Sequence, residues 1–408
     1  MKTDTAIVII GTFDTKGEEH IFIKERVEER GLETITVNLG TKTDPAFPAD
    51  IDLYDELKKN DRAFSGGRDK RVKAMIRLGQ QTVRELYGLN RISGIIGAGG
   101  GTGTHLCSEV MKVLPMGIPK VMVSTVAARD MSDIVSTSDI TMMHSVTDIL
   151  GINSITGPVL DRAAAAVCGM TGAVWEAPQD KKRIALSFFG FITPAAEKVR
   201  EGLEAKGYEV VPFHANGTGG MAMVKLAGEG FFDGILDLAT HELADALKGG
   251  YCGNIGPRRF EPPGGRPLPR LIVPGGMDCA VLEFTRDTVP EKYKDRKIFF
   301  YDFRSAVRLS PEESLFLAEQ LSEKLNMDQG NVHMLIPSRG FSTADREGAP
   351  LYEPETGRSF IDRLKDRLAP VIPVKEVDLH INDPAFAEEA ATRMDHLIKT
   401  AASSDGLP

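Results

Sequence analysis

Two loops near the start of the chain carry the residue types that hold a phosphate group. The first, Gly11-Thr12-Phe13-Asp14-Thr15-Lys16-Gly17-Glu18, follows the apolar run Ala6-Ile7-Val8-Ile9-Ile10. It offers backbone N–H groups, hydroxyls and an ammonium at an expected helix start, where the helix dipole favours an anion. Thr15 with Glu18 also fits a capping box, which would explain the helix start without a ligand. The second loop, Gly97-Ala98-Gly99-Gly100-Gly101-Thr102-Gly103-Thr104, has five glycines in seven residues. Turning the chain needs one or two, and each glycine costs up to about 1 kcal/mol relative to alanine. Close approach of a ligand to backbone amides is the affirmative reason for the excess.

Gly11, Thr12, Asp14, Thr15, Lys16, Gly99, Gly100, Gly101, Thr102, Gly103 and Thr104 are therefore the candidate phosphate contacts. Ser124 and Thr125, at the end of Val121-Met122-Val123, add hydroxyls expected to face the same crevice. Asp139 is a candidate magnesium ligand acting through water, because magnesium beside phosphates needs only one or two protein carboxylates; capping a turn is its alternative role. Neither Gly97-x-Gly99 nor Gly99-x-Gly101 is completed by the third glycine of a dinucleotide fingerprint, and no Gly-Lys-Ser/Thr ends the loop as in a Walker A motif. Hydride transfer loses support accordingly.

The second half of the chain repeats this logic more weakly in Phe213-His214-Ala215-Asn216-Gly217-Thr218-Gly219-Gly220. His214 and Asp237 are the candidate acid–base groups, although a single histidine at a strand end commonly has a structural role. His241-Glu242-Leu243-Ala244-Asp245 matches a metalloprotease helix until its last position, where Asp replaces the second His, which argues against zinc proteolysis. Cys107, Cys168, Cys252 and Cys279 form no C-x-x-C pair and read as reduced, mostly buried thiols.

The elements that must position these residues follow a βαβ rhythm. Ala6–Ile10, Glu33–Val37, Ile92–Ile96 and Lys120–Val123 read as strands, and Gly17–Arg30 as an amphipathic crossover. A second series comprises 183–189, 208–213, 234–238, 270–274, 297–301 and 332–336, and a helix is predicted from Pro384. The stretch from Cys168 to Arg183 reads as a linker, and Gly249–Pro269 as a long surface loop or interface arm. The fold class expected is α/β: two Rossmann-like domains, residues 1–177 and 178–408, each with a mostly parallel sheet flanked by helices.

With 49 Lys+Arg against 58 Asp+Glu and a net charge of -9, nucleic acid and anionic membranes are poor partners. No secretory signal or membrane-spanning run is legible, so a soluble, cytoplasmic protein is expected.

Several of these stretches together resemble one known family. They are Gly11–Lys16, Gly99–Thr104, Ser138-Asp139-Ile140-Thr141-Met142-Met143 and Asp148-Ile149-Leu150-Gly151-Ile152-Asn153, followed by Phe213-His214-Ala215, Gly219-Gly220, Glu242–Asp245 and Ile381-Asn382-Asp383-Pro384. The chain is similar over nearly its whole length to the bacterial and plant family typified by the ATP-binding N-terminal region of the tomato mosaic virus resistance protein. That resemblance implies two Rossmann-like domains, ATP with magnesium, and homodimerisation, with the phosphate contacts on the loops named above. The sequence departs from the family pattern at Tyr301-Asp302-Phe303 and at Ala239-Thr240-His241. The expected function is an ATP/Mg-binding protein, either an ATP-dependent enzyme acting on a small molecule or a nucleotide-regulated module. The alternative is a metal-dependent hydrolase or lyase using His214, His241 and nearby carboxylates on a small metabolite in an interdomain cleft.

Overall fold

The computed structural model describes residues 5–59, 64–173, 175 and 181–404. The chain forms two compact units, Met1–Ala177 and Pro178–Pro408. Each is a two-sided α/β unit built on a six-stranded parallel sheet.

In the first unit the strands are β1 (Ala6–Gly11), β2 (Thr34–Asn38), β3 (Ile51–Asp52), β4 (Ile92–Gly99), β5 (Lys120–Ser124) and β6 (Thr141–His144). Their order is β3-β2-β1-β4-β5-β6, and every neighbouring pair is parallel. The unbroken apolar run of β1 reflects burial on both faces, as parallel sheets require. Successive side chains of a strand point to opposite faces, so Val8 and Ile10 pack with Leu106 and Val110 on one side while Ile7 and Ile9 pack with Ile23, Leu160 and Val167 on the other. The strand order reverses direction between β1 and β4. A crevice opens at such a switch point, beyond the carboxyl ends of the two strands, and both glycine-bearing loops start there.

In the second unit the strands are β7 (Arg183–Phe188), β8 (Glu209–His214), β9 (Gly234–Ala239), β10 (Arg270–Gly275), β14 (Val332–Pro337) and β15 (Val374–Val377), ordered β15-β14-β10-β9-β7-β8 and again all parallel. Its switch point lies between β7 and β9. A separate antiparallel sheet holds β11 (Cys279–Leu282), β13 (Ser305–Arg308) and β12 (Ile298–Phe300). The run 297–301, expected in the main sheet, therefore belongs to this small one; alternation alone does not tell a strand which sheet to join.

Two boundary expectations are corrected. Helix Thr156–Thr171 runs through Cys168, so the linker starts later than expected, and residues 176–180 lie outside the described residues. Gly249–Pro269 is not a surface loop: it has no helix or strand, yet it carries Cys252, Arg259 and Phe260 into the interior. Its Gly, Pro and Arg content suits an irregular path, and an ion-paired arginine can be buried where a solvated one cannot.

Candidate functional site

The first unit brings the two glycine-bearing loops together. A cleft of about 320 Å³ lies at the carboxyl ends of β1 and β4, lined by Thr12, Asp14, Thr15 and Lys16 on one side and Gly100–Gly103 on the other. Thr41, Lys42 and Arg68 also line it. These three were missed at the level of sequence, although Gly40-Thr41-Lys42-Thr43 after β2 and Gly66-Gly67-Arg68 at a helix start carry glycine, hydroxyl and cation signals of the same kind. Arg68 donates to the Thr102 hydroxyl (2.9 Å), which fixes its guanidinium beside the second loop. The cleft thus has three cationic side chains and one carboxylate in a protein of net charge -9.

The helices that start at the cleft lack a side-chain cap. Helix Gly17–Glu28 has Lys16 as its N-cap residue, and helix Gly101–Met111 has Gly100. The Thr15–Glu18 capping box does not form, because the Thr15 hydroxyl turns to Thr12, 3.0 Å from its hydroxyl and 3.3 Å from its carbonyl. In the second helix the first backbone bond runs from Thr104 N–H to the Gly100 carbonyl (2.7 Å). The N–H groups of Gly101, Thr102 and Gly103 precede that bond and have no acceptor within the helix.

The glycines divide into two kinds. A Cβ on Gly11 would fall 2.0 Å from the His20 ring, one on Gly97 would fall 2.9 Å from the Ile10 carbonyl, and one on Gly99 3.0 Å from Gly103. Packing requires these three. A Cβ on Gly100 would meet only the Thr125 hydroxyl at 3.7 Å, and one on Gly101 would enter open space. Packing does not require those two.

Several candidate residues carry internal bonds of their own. The Lys16 ammonium donates to the Ile149 carbonyl. Asp14 Oδ2 accepts from the N–H groups of Thr41 (3.1 Å) and Lys42 (2.9 Å), while its Oδ1 is buried with no hydrogen-bond partner among the described residues. Thr104 and Ser124 are fully buried and bonded hydroxyl to hydroxyl at 2.7 Å, so they join the helix to β5 and do not face the cleft. Thr125 N–H donates to the Gly99 carbonyl (3.2 Å). Asp139 is not in the cleft: it precedes β6 and pairs with Lys120, the first residue of β5, at 2.6 Å, and accepts from Gly117 N–H at 2.9 Å. It therefore sits at the amino edge of the sheet, opposite the loops, and serves a buried lysine.

In the second unit Asp237 is equally committed. Arg259, fully buried, donates from both terminal nitrogens to the Asp237 carboxylate and through Nε to Glu242 (2.6 Å), and Ser187 also donates to Asp237. Asp237 is buried and committed to an ion pair, which argues against acid–base work. The same pair explains Gly220, whose Cβ would fall 2.4 Å from Glu242 and 2.5 Å from Arg259, while Gly217 N–H donates to Glu242 at 2.7 Å. That loop is glycine-bearing so that helix Thr218–Gly228 can pack on an ion pair, not to hold phosphate. His214 ends edge strand β8, stays exposed, and is held below the usual histidine range by partial burial and by Arg304. A second cavity of about 380 Å³ lies beyond β14 and is bordered by Arg339, Arg346, Tyr352, His380 and Asp383.

Residues 5–176 match the description "Uncharacterised protein family (UPF0261) N-terminal domain", and residues 181–398 match its C-terminal domain. The chain belongs to the UPF0261 family. A UPF0261 protein of Clostridium tetani is 35% identical, covering 96% of this chain and 99% of its own length. One from Mesorhizobium japonicum is 36% identical over 95% of this chain and 98% of its own. The tomato (Solanum lycopersicum) ToMV resistance protein Tm-1 is 31% identical over 93% of this chain, which spans 54% of that protein. Both UPF0261 domains thus coincide with the two α/β units. Among the described residues no helix is long and apolar enough to cross a membrane.

Proposed function

We propose that the first unit binds ATP as its magnesium complex, with the phosphate chain in the cleft between the Gly11–Lys16 loop and the start of helix Gly101–Met111. The observation that carries this reading is the open space at Gly100 and Gly101, beside N–H groups without helical acceptors and next to Arg68 and Lys42. Glycine costs stability wherever packing does not need it, so its reason here lies in a ligand that approaches the backbone. Asp14 suits magnesium held through water, since it is the carboxylate in the lining and its Oδ1 is unpartnered among the described residues. It takes the role expected of Asp139.

The lining contains no histidine, and Asp14 is tied to two backbone N–H groups. That supports a nucleotide-holding module over hydrolysis within this unit. Homodimerisation belongs to the same reading. The test is calorimetric titration of the full chain with MgATP, MgADP and adenosine, alongside phosphate release. Tight MgATP binding, weaker MgADP and slow release support the proposal, whereas equal affinity for adenosine removes the phosphate contacts on which it rests.

A further inference from the structure

The switch point of the second unit holds a buried cluster that the ATP reading does not use. His241 lies two residues after the end of β9 and is the N-cap residue of helix Glu242–Lys248. Asp245 lies one turn further on the same face. Cys252 comes from the irregular segment that folds back over this helix. One ligand atom from each of His241, Asp245 and Cys252 lies within 4.8 Å of the others, and all three residues are buried.

The chain is shaped to press Cys252 onto Asp245. A Cβ on Gly250 would fall 3.0 Å from the Asp245 carboxyl carbon, and one on Gly253 would fall 2.7 Å from the Asp245 carbonyl. Cys252 N–H donates to Asp245 Oδ2 (2.8 Å) and Val281 N–H to Oδ1 (2.7 Å), which orients the carboxylate, and the Cys252 thiol also bonds to that carboxylate until its proton leaves. His241 is stacked on Phe189 with ring centroids 3.8 Å apart. Both of its ring nitrogens are buried without a hydrogen-bond partner among the described residues. A fully buried imidazole with neither nitrogen satisfied is costly unless something else occupies the site.

We propose that His241, Asp245 and Cys252 are three ligands of one zinc ion, whose fourth position is open to water or a substrate oxygen. A sulfur, a nitrogen and an oxygen donor together select a zinc-class ion; magnesium and calcium take oxygen ligands. In a tetrahedral zinc site ligand atoms stand about 3.3 to 3.8 Å apart, so the ion draws this cluster in by roughly 1 Å. Binding releases the Cys252 thiol proton, and any proton on Asp245, to solvent; the thiolate and carboxylate then neutralise the dication, as a buried site requires. The competing arrangement, a cysteine nucleophile activated by histidine, needs a hydrogen bond between them, and His241 makes none.

The test loads the full chain with Zn2+ alone, removes loose metal with a weak chelator and measures metal per chain, then repeats with Co2+ and records the absorption spectrum. Retention of equimolar zinc, a thiolate-to-cobalt charge-transfer band and tetrahedral d–d bands is expected. Cys252→Ser should abolish the charge-transfer band and His241→Gln should cut retained zinc at least tenfold, while Cys279→Ser and Cys107→Ser should keep both signals. Should either ligand variant fail to fold, a rise in the melting temperature of the unmodified protein with Zn2+ that Mg2+ does not produce gives the same answer. Absence of retained metal, a band that survives Cys252→Ser, or a melting temperature that zinc leaves unchanged overturns the proposal. MgATP binding plays no part in any of these readouts.

Discussion

The Lys16 ammonium donates to the carbonyl of Ile149, although Lys16 lines the cleft beneath the first helix. One cation therefore ties the β1 loop to the segment after β6. Lys16→Ala should lower the stability of the empty protein by about 1.5 to 3 kcal/mol, the range for a hydrogen bond from a charged group. If the ammonium also meets phosphate, MgATP affinity should fall further than adenosine affinity. Urea unfolding with and without MgATP separates the two contributions, and an unchanged empty protein would show that the Ile149 bond is idle.

Gly101→Ala and Gly97→Ala should behave oppositely. The first places a methyl in open space on a helix and should leave the empty protein as stable or up to about 1 kcal/mol more so, because alanine is the better helix former. Gly97→Ala forces a methyl against Ile10 and Cys107 and should cost about 1 to 3 kcal/mol. Gly101→Val should abolish MgATP binding in a folded protein. Thermal melts and calorimetry on the three variants decide the matter, and full affinity in Gly101→Val would take this loop out of the site.

Arg259 neutralises two buried carboxylates at once. Arg259→Met should cost about 3 to 5 kcal/mol, because it leaves charge buried and unpaired. Adding Asp237→Asn and Glu242→Gln should restore much of that loss. A triple variant no more stable than Arg259→Met, measured by denaturant unfolding, would mean that packing and not charge is the larger contribution.

His20 is fully buried under the β1 loop, its Nδ1–H donating to the Lys16 carbonyl at 2.5 Å, and burial holds it below the usual histidine value of 6.5. Above pH 6.5 neither the folded nor the unfolded form carries the proton, so His20 adds no pH dependence. Below it the unfolded chain takes up a proton that the folded chain refuses, and stability falls as pH drops. The difference in unfolding free energy between the unmodified protein and His20→Gln should therefore shrink from pH 7 towards pH 5. A difference that stays constant over this range would assign His20 a purely steric role.

Much of the first unit was legible because its signals are local. Buried parallel strands announce themselves as β-branched runs, and the loops that follow β1 and β4 could be named before it was known that these strands are neighbours. Asp139 was misplaced because a residue near a strand can serve either edge of the sheet, and only pairing with Lys120 reveals which. Thr15 fitted a capping box as well as a phosphate contact, because spacing cannot show which way a hydroxyl turns. Asp237 and Gly220 were read as functional because their partner, Arg259, comes from a segment whose composition pointed outward. The His241–Asp245 spacing was visible, but Cys252 has no periodic relation to it; the fold, and not the sequence pattern, supplies that third donor.

The adjacency of β1 and β4 also sets when the cleft can exist. Its two walls are contributed by residues 11–16 and 100–103, so the chain must complete the excursion through β2 and β3 and return before a ligand has anything to grip. Contacts between distant stretches of sequence form late and slowly. A ligand spanning these walls would then act as a clasp on the β1–β4 seam. It would do little to speed folding and would chiefly slow the opening of the finished unit, lengthening its lifetime against proteolysis.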